Sequence, residues 1–530
     1  MSESKILARD KKSFPPKITL FNNKKIVFVI YLVVGLILNF RSLNNPFIWD
    51  DESCILSNSA IKGPENVFSV FSYDLFGEKV NRATQFYRPV VLLSFLVDWQ
   101  ISQDNPLFFH LTNIFLHIFN SILIFIILSK FIENSFINFL TGLFFLISPV
   151  NVNTVAYISN RTVLLGSFFA YLSILNFLNG RKFLVVVFFV LSILSKEDFV
   201  GLPIIFLFYW FLFERKNKKV LLTFLPTIFI SILYSLMRIF FQKNSIIVPL
   251  SFLRDENILV RILTFIRSVF FYLSKILIPV GIPFEKHFIV RDFLNIYLII
   301  FVVIFLGVIY FLKKSKWLLF LFCFVLLSLF PASNIILPLS ASLRMHYIYF
   351  SSFIIIVGVI ILIYKLSRYL RLQKIVGVVL ILYTIGFIYQ SWKYTLLWKD
   401  KKQFFLFQVK LEPKSFLCLN NLGVEYFREN DYPNAGKFFQ ESIVQSPNRS
   451  YNVGWNNLGV VFQRVGKVQE AIECYKKSIS IGDYYLAYKN LVEIYYILNK
   501  KEELKELLSV VLKKYPEDKF FREVAKFVGK

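Results

Sequence analysis

The stretch "KIVFVIYLVVGLILNF" (residues 25–40) carries one charge, at Lys25, and within ten residues gives way to "IWDDES" (48–53). A second stretch, "NIYLIIFVVIFLGVIYFL" (295–312), carries no charge at all. An apolar run of about 18–20 residues is what a helix needs to cross a bilayer. The whole chain repeats the pattern. Of its 530 residues 56% are hydrophobic and 63 are Phe, with a mean hydropathy of +0.59. Soluble domains average roughly 45–50% apolar, so the excess must face lipid.

The formal charge of +26 could point to nucleic acid, but its placement argues against that. Basic residues gather in short connections such as "ERKNKK" (214–219) and "KKSK" (313–316), and the first 25 residues hold seven Lys/Arg against two acids. That is the positive-inside pattern, with anionic lipid headgroups as the partner. No reader motif accompanies the charge. The basic start (1–25) reads as a cytoplasmic N-terminus, and Ile26–Phe40 as a retained anchor without a small-residue cleavage site. The four cysteines (54, 323, 418 and 474) show no CxxC or Cys/His spacing, so neither a metal site nor a disulfide framework is expected.

Apolar windows recur near 26–40, 106–129, 137–148, 155–178, 183–195, 199–213, 219–241, 258–280, 293–312, 317–331, 346–364 and 375–391. They predict an α-helical, polytopic membrane domain over 26–392 with about 10–13 transmembrane helices. With the N-terminus inside, the long first loop (41–105) lies outside. Within it "YRPVVLLSFLVDWQIS" (87–102) reads as an amphipathic helix on the membrane surface, with Pro89 in its first turn. "LSILSKEDFVGLP" (191–203) reads as a surface turn or as a break in one long helix.

After Trp392 the pattern becomes that of soluble helices. "NNLGVEYFRENDYPNAGKFFQESIVQSP" (420–447) recurs at 456–480 after 36 residues and at 489–516 after 33 more. A period of about 34 with this signature resembles tetratricopeptide repeats. Trp455, Leu458, Gly459, Phe462, Ala471 and Tyr475 fit best; Leu422, Gly423, Tyr426, Ala435, Phe439 and Pro447 fit the first unit. The third keeps Leu491, Tyr495 and Pro516, as a capping repeat does. Residues 415–530 therefore read as a short α-solenoid whose concave face could hold a peptide, or as a tethered spacer.

Ionisable residues beside membrane spans mark function by default. Asp50, Asp51 and Glu52 follow Trp49; there a carboxylate could deprotonate a hydroxyl, or hold a divalent cation together with a phosphate, and a solvated, helix-capping loop is the bland alternative. His110, Asn113, His117 and Asn120 share one helix face, which suits either a polar path from the outer surface or bonding between helices, with His110 outermost. Asn151, Asn153, Tyr157 and Arg161 sit at a span entrance, where snorkelling alone would account for Arg161. Lys196–Glu197 reads as phosphate-binding or as a self-neutralising pair. Arg344, His346 and Tyr347 open another span. Together the cations suit a lipid phosphate and the acids an incoming nucleophile. There is no Gly-rich phosphate loop for a soluble nucleotide.

"FIWDDESCILSN" (47–58), "YRPVVLLSFLVDWQISQDNPLFFHLTNIFLHIFN" (87–120), "SPVNVNTVAYISNRTVLLGSFFAYLSIL" (148–175) and "LSKE" (194–197) occur in this order, ahead of the repeats. This string resembles the transmembrane and tetratricopeptide repeat-containing family, akin to protein O-mannosyltransferases and other GT-C glycosyltransferases. The resemblance covers essentially the whole chain and is densest in 46–200. It implies a GT-C-like domain over 26–392 and an inverting transfer of a mannose-like sugar. The donor is a polyprenyl- or dolichyl-phosphate sugar, and the acceptor a protein Ser/Thr or other hydroxyl on the non-cytoplasmic side. It makes Asp50 or Asp51 the base, and matches Tyr87–Pro89, His110–Asn113 and Ser195–Glu197 to family motifs. In the late Glu-Arg-x-x-Tyr pattern Arg344 and Tyr347 fit, while Leu343 replaces the acid. Arg88, Arg161, Lys196 or Arg344 would hold the phosphate, and His110 would orient the donor or the acid. No cofactor is required beyond the divalent cation the acids could take. Family members carry their repeats on the outer or lumenal side, where they would bind a protein partner or present the acceptor. High Lys, Ile, Phe and Asn content suggests a bacterial source and hence the inner membrane, or the endoplasmic reticulum membrane if the source is eukaryotic. The rival readings are an O-antigen-ligase-like transferase, a non-catalytic membrane scaffold displaying the repeats, and a transporter. They are disfavoured respectively by the early acidic loop, by the clustered ionisable residues and by the absence of an internal repeat in the membrane half.

Overall fold

The computed structural model describes residues 19–79, 86–242, 250–292, 296–312 and 315–528. Most of the basic N-terminus (1–25), and residues 313–314 of the "KKSK" loop, lie outside them. The described residues divide into two compact units at Asp400/Lys401, with Leu250–Phe252 grouped with the second.

The first unit is built from fourteen described helices: α1 (Lys24–Asn39), α2 (Pro89–Ser102), α3 (Leu107–Leu128), α4 (Ser135–Leu146), α5 (Pro149–Ala156), α6 (Arg161–Leu178), α7 (Lys182–Ile193), α8 (Leu202–Tyr209), α9 (Lys218–Gln242), α10 (Ile258–Leu277), α11 (Ile296–Leu312), α12 (Lys316–Leu329), α13 (Ser352–Tyr369) and α14 (Gln373–Leu397). A two-residue antiparallel ribbon joins β1 (Glu285–Lys286) to β2 (Leu343–Arg344). Among the described residues every apolar window read from the sequence folds mostly as helix. Six helices among the described residues are long and apolar enough to cross a membrane, or seven if the α4–α5 pair, bent by 54°, is one span. Polar residues and prolines interrupt some of the other windows. Asn134 caps α4 by accepting from the Phe136 and Ile137 amides, and Pro149 restarts the chain as α5.

Helix α3 sits at the centre, packed against α1, α2, α4, α5 and α6. Close approach depends on small residues: a Cβ at Gly35 would lie 2.5 Å from Ile118, and one at Gly142 would lie 2.3 Å from the Tyr31 hydroxyl. Within this core His117 Nε2 donates to the Leu146 carbonyl (3.0 Å), and Nδ1 accepts from the Tyr349 hydroxyl (2.8 Å). Asn120 donates to Leu164 O and to the same hydroxyl. The inner half of the polar stripe therefore bonds helices together.

One expectation is corrected. Helix α2 is not an amphipathic surface helix, because its acid points inward. Asp98 is 4% exposed and accepts from Thr112 Oγ1 (2.8 Å), while apolar Val97 and Ile101 are exposed. An acid buried in this way needs a partner, and Arg161 supplies it.

The second unit begins one helix before the sequence boundary of 415, at α15 (Lys401–Leu411). Three helical hairpins follow: α16 (Phe416–Arg428) with α17 (Tyr432–Gln445), α18 (Asn452–Arg464) with α19 (Val468–Ile481), and α20 (Tyr485–Ile497) with α21 (Lys501–Lys514). The final helix, α22 (Lys519–Val528), adds buried Phe521 to the core of the last hairpins. A Cβ at Gly423 would meet Phe439 at 2.7 Å, and one at Gly459 would meet Tyr475 at 2.7 Å. The small residue in each first helix thus seats the large ring of the second.

Candidate active site

The acid triplet lies on a sharp bend. Trp49 has φ +60°, a left-handed conformation that is rare for a bulky side chain and is held only where the surroundings enforce it. Its indole packs on Phe284 (5.1 Å) and near Tyr157 (6.4 Å), whose own ring stacks on Trp398 (5.7 Å). The bend separates the two aspartates. Asp51 turns in and is 1% exposed. Its Oδ1 accepts from the Ser159 amide (2.7 Å) and hydroxyl (2.5 Å), and its Oδ2 accepts from the Ile48 amide (3.3 Å). Burial pushes its pKa up to about 7 against these bonds. Asp50 stays half-buried, with its amide donating to the Tyr157 hydroxyl (3.2 Å). Burial raises its pKa too, while the Tyr157 hydroxyl and the charges of Arg344 and Arg88 pull it back. Glu52 lies beyond, half-buried on the short helix Glu52–Leu56.

Around Asp50 the cations stand at the ends of separate elements. Arg88, just ahead of α2, grips Glu197 with two parallel bonds (Nε–Oε2 3.0 Å, Nη2–Oε1 2.8 Å). Arg238 adds a second contact to Glu197 at 3.5 Å. Burial opposes the charge of Glu197, but the two guanidiniums outweigh it and hold the carboxyl far below its usual range. Lys196 does not pair with Glu197. Extended backbone between α7 and α8 sends the two side chains apart, and Lys196 takes Asp198 (3.1 Å) and lies over the Tyr347 ring (5.1 Å). Burial lowers the Lys196 pKa, with Asp198 opposing. Lys196 and Asp198 line a cleft with His346 and Tyr347, facing apolar Val163, Phe199 and Leu327. His346 is 8% exposed, and its Nδ1 has no hydrogen-bond partner.

Arg344 is reached from an unexpected direction. Leu343 is fully buried, and the carboxylate beside Arg344 comes from Glu285 across the ribbon (Nε–Oε2 3.3 Å). Burial opposes the Arg344 charge, and Glu285 together with Tyr347, Asp50 and Tyr157 more than restores it.

The remaining sequence-selected residues lie inside the helix core. Arg161 is 0% exposed. It ion-pairs with Asp98 (2.5 Å) and donates to Asn113 Oδ1 (2.9 Å), Phe109 O (2.7 Å) and Ser94. Asn113 donates in turn to the 155–158 backbone. His110 Nε2 donates to Asn45 O (3.1 Å). Arg161 and Asn113 brace the turn that carries Ser159, and so stand behind Asp51, while His110 holds the segment that leads into the acid bend. Sequence reading missed Ser159, Asp198, Arg238 and Glu285. Ser159 and Asp198 lie in stretches already singled out, Arg238 in an apolar window, and a lone acid in an apolar loop, "IPFEKHF" (282–288), is the signal for Glu285.

In the acid pair, protein donors already reach both oxygens of Asp51. Among the described residues no group of three or more His, Cys, Asp or Glu side chains is placed to hold an ion.

Comparison with known proteins supplies relatives. A Tetratricopeptide repeat model matches residues 454–481, the α18–α19 hairpin. Protein O-mannosyl-transferase F38B6.6 of Caenorhabditis elegans is 28% identical over 180 residues, 32% of this chain and 26% of that protein. Protein O-mannosyl-transferase TMTC3 of Homo sapiens is 26% identical over 162 residues, 30% of this chain and 17% of that protein. Protein O-mannosyl-transferase TMTC1 of Mus musculus is 29% identical over 141 residues, 26% of this chain and 15% of that protein. Over these segments the chain is similar to proteins named as O-mannosyl-transferases. It matches about a quarter or less of the length of these O-mannosyl-transferases.

Proposed function

We propose that the chain is an integral-membrane glycosyltransferase of GT-C type. It moves a mannose-like hexose from a polyprenyl- or dolichyl-phosphate donor to a protein Ser/Thr or other hydroxyl on the non-cytoplasmic side. One observation carries the reading: Asp50 is a half-buried carboxylate in the field of Arg344 and Arg88, on a bend whose other aspartate is engaged at both oxygens. A general base must be reachable and have a pKa matched to its task; of the two aspartates, Asp50 keeps that freedom. In a single displacement Asp50 takes the proton of the acceptor hydroxyl as its oxygen bonds to the anomeric carbon. The bond from that carbon to the phosphate oxygen breaks, and the electron pair leaves on the phosphate. One free carboxylate and one ionic leaving group suit inversion, since a covalent intermediate would need a nucleophile as well.

Lys196 and Arg344 receive the leaving phosphate, and the apolar wall of Val163, Phe199 and Leu327 suits the isoprenoid chain. Arg88 is held by Glu197 and contributes field to Asp50. The repeats bind the protein acceptor or a partner. The test is transfer from polyprenyl-phosphate mannose to a Ser/Thr peptide in proteoliposomes holding the full chain. Asp50→Asn should abolish transfer; full activity in that variant overturns the reading. Protease access to the repeats in sealed vesicles reports their side.

A further inference from the structure

Glu285 belongs to no sequence motif and sits in the connection after α10, yet it is 1% exposed. Burying a carboxylate is costly unless partners compensate it. Its partners include Arg344 Nε (3.3 Å) and His287 Nε2 (3.1 Å). The backbone sets the first pairing. Glu285 registers opposite Arg344, and the Ser342 amide donates to Lys286 O (3.0 Å) and the Met345 amide to Phe284 O (3.2 Å). The Tyr272 hydroxyl donates to Arg344 O at 3.0 Å, which fixes the ribbon from α10. On the guanidinium itself Nε faces Glu285 and Nη2 donates to Ser340 Oγ (2.9 Å), which leaves Nη1 for a ligand. The Arg344 side chain keeps 25% exposure, whereas Glu285 is closed off behind it.

We infer that Glu285 is a positioning residue that holds Arg344 as the phosphate-binding cation beside Asp50. The inference rests on the reading of this site as one for a lipid phosphate. A free arginine side chain loses rotamer freedom when a ligand fixes it. Glu285 and Ser340 settle that conformation in advance, so the phosphate meets an aligned donor. Glu285 also balances the guanidinium, so that Arg344 can lie next to Asp50 without pairing permanently with the base.

The experiment measures binding of undecaprenyl phosphate to the full chain in detergent, with thermal unfolding alongside. Arg344→Ala should weaken binding about tenfold or more. Glu285→Gln should weaken it by a similar factor, and Glu285→Asp, which restores the charge on a shorter stem, by less. The Glu285→Gln/Arg344→Ala pair should bind no more weakly than Arg344→Ala alone, because both act through one guanidinium. Unchanged binding in Arg344→Ala would overturn the phosphate reading and the inference with it. A loss in Arg344→Ala with none in Glu285→Gln would overturn the inference alone, as would additive losses in the double variant. Should Glu285→Gln fail to fold, Ser340→Ala takes its place, since Ser340 holds the other edge of the guanidinium; undiminished binding there would overturn the inference.

Discussion

Asp51 and Ser159 lie 108 positions apart, yet one carboxylate oxygen of Asp51 accepts both the Ser159 amide, at 2.7 Å, and its hydroxyl, at 2.5 Å. That clamp ties the first loop to the start of α6 and leaves Asp50 as the acid at the opening. The two aspartates should therefore fail differently. Asp50→Asn should lower turnover by about 10²–10⁴, the usual worth of a general base, with its melting temperature preserved. Asp51→Asn and Ser159→Ala should instead destabilise the chain by about 1–3 kcal/mol through lost buried hydrogen bonds. Turnover at saturating donor, read beside thermal unfolding in detergent, separates the two.

Asp51 should also leave a mark on stability against pH. Its folded pKa is raised to about 7, above an unfolded value of about 3.9. Between those values the native state binds a proton that the unfolded chain has released, so stability falls as pH rises through that window. Glu197 has the opposite sign. Its depressed pKa adds stability that is fully present above the unfolded carboxyl pKa and is lost only in acid. From pH 5 to 7 the melting temperature should fall, and Asp51→Asn should flatten that decline. An equal slope in the variant would place its origin elsewhere.

Arg161 should prove structural in its consequences. Its guanidinium serves Asp98, Asn113, Phe109 O and Ser94 at once, with no exposed surface. Lysine keeps the charge but not the planar fork. Arg161→Lys should therefore cost about 3–5 kcal/mol, the penalty of a broken buried pair. Retained folding with only a raised donor KM would contradict this.

Two glycines in the repeats should respond in opposite directions. At Gly459 a Cβ would lie 2.7 Å from Tyr475, so Gly459→Ala should destabilise the second unit by about 1–3 kcal/mol. At Gly436, in α17, the nearest neighbour is Val461 at 3.6 Å, an ordinary contact. There Ala should add up to about 1 kcal/mol of helix propensity. Limited proteolysis of the full chain, following fragments from 401–530, should show the contrast.

The helices and repeats were legible because their signals are local. An apolar window declares a span from its own residues, and Leu458, Gly459, Ala471 and Tyr475 declare a hairpin within one period. The acidic bend, the Ser-Lys-Glu turn and Arg344–Tyr347 were legible as polar residues at span ends. Their pairings were not. Lys196 and Glu197 are neighbours in the chain but take different partners, because extended backbone at Lys196 points the two side chains apart. Asp98 read as the polar face of a surface helix and turned inward, since Arg161 waited on α6.

By itself the sequence determined a helical membrane unit, its repeats and the acidic loop beside the first span, since hydrophobic periodicity and short spacings act over a few turns of chain. Tertiary structure decided which aspartate stays free, that Arg161 serves the core, and that Glu285 stands behind Arg344. Those outcomes depend on contacts between residues tens to a hundred positions apart, and the desolvation of a charge is settled only when packing brings its partner into place.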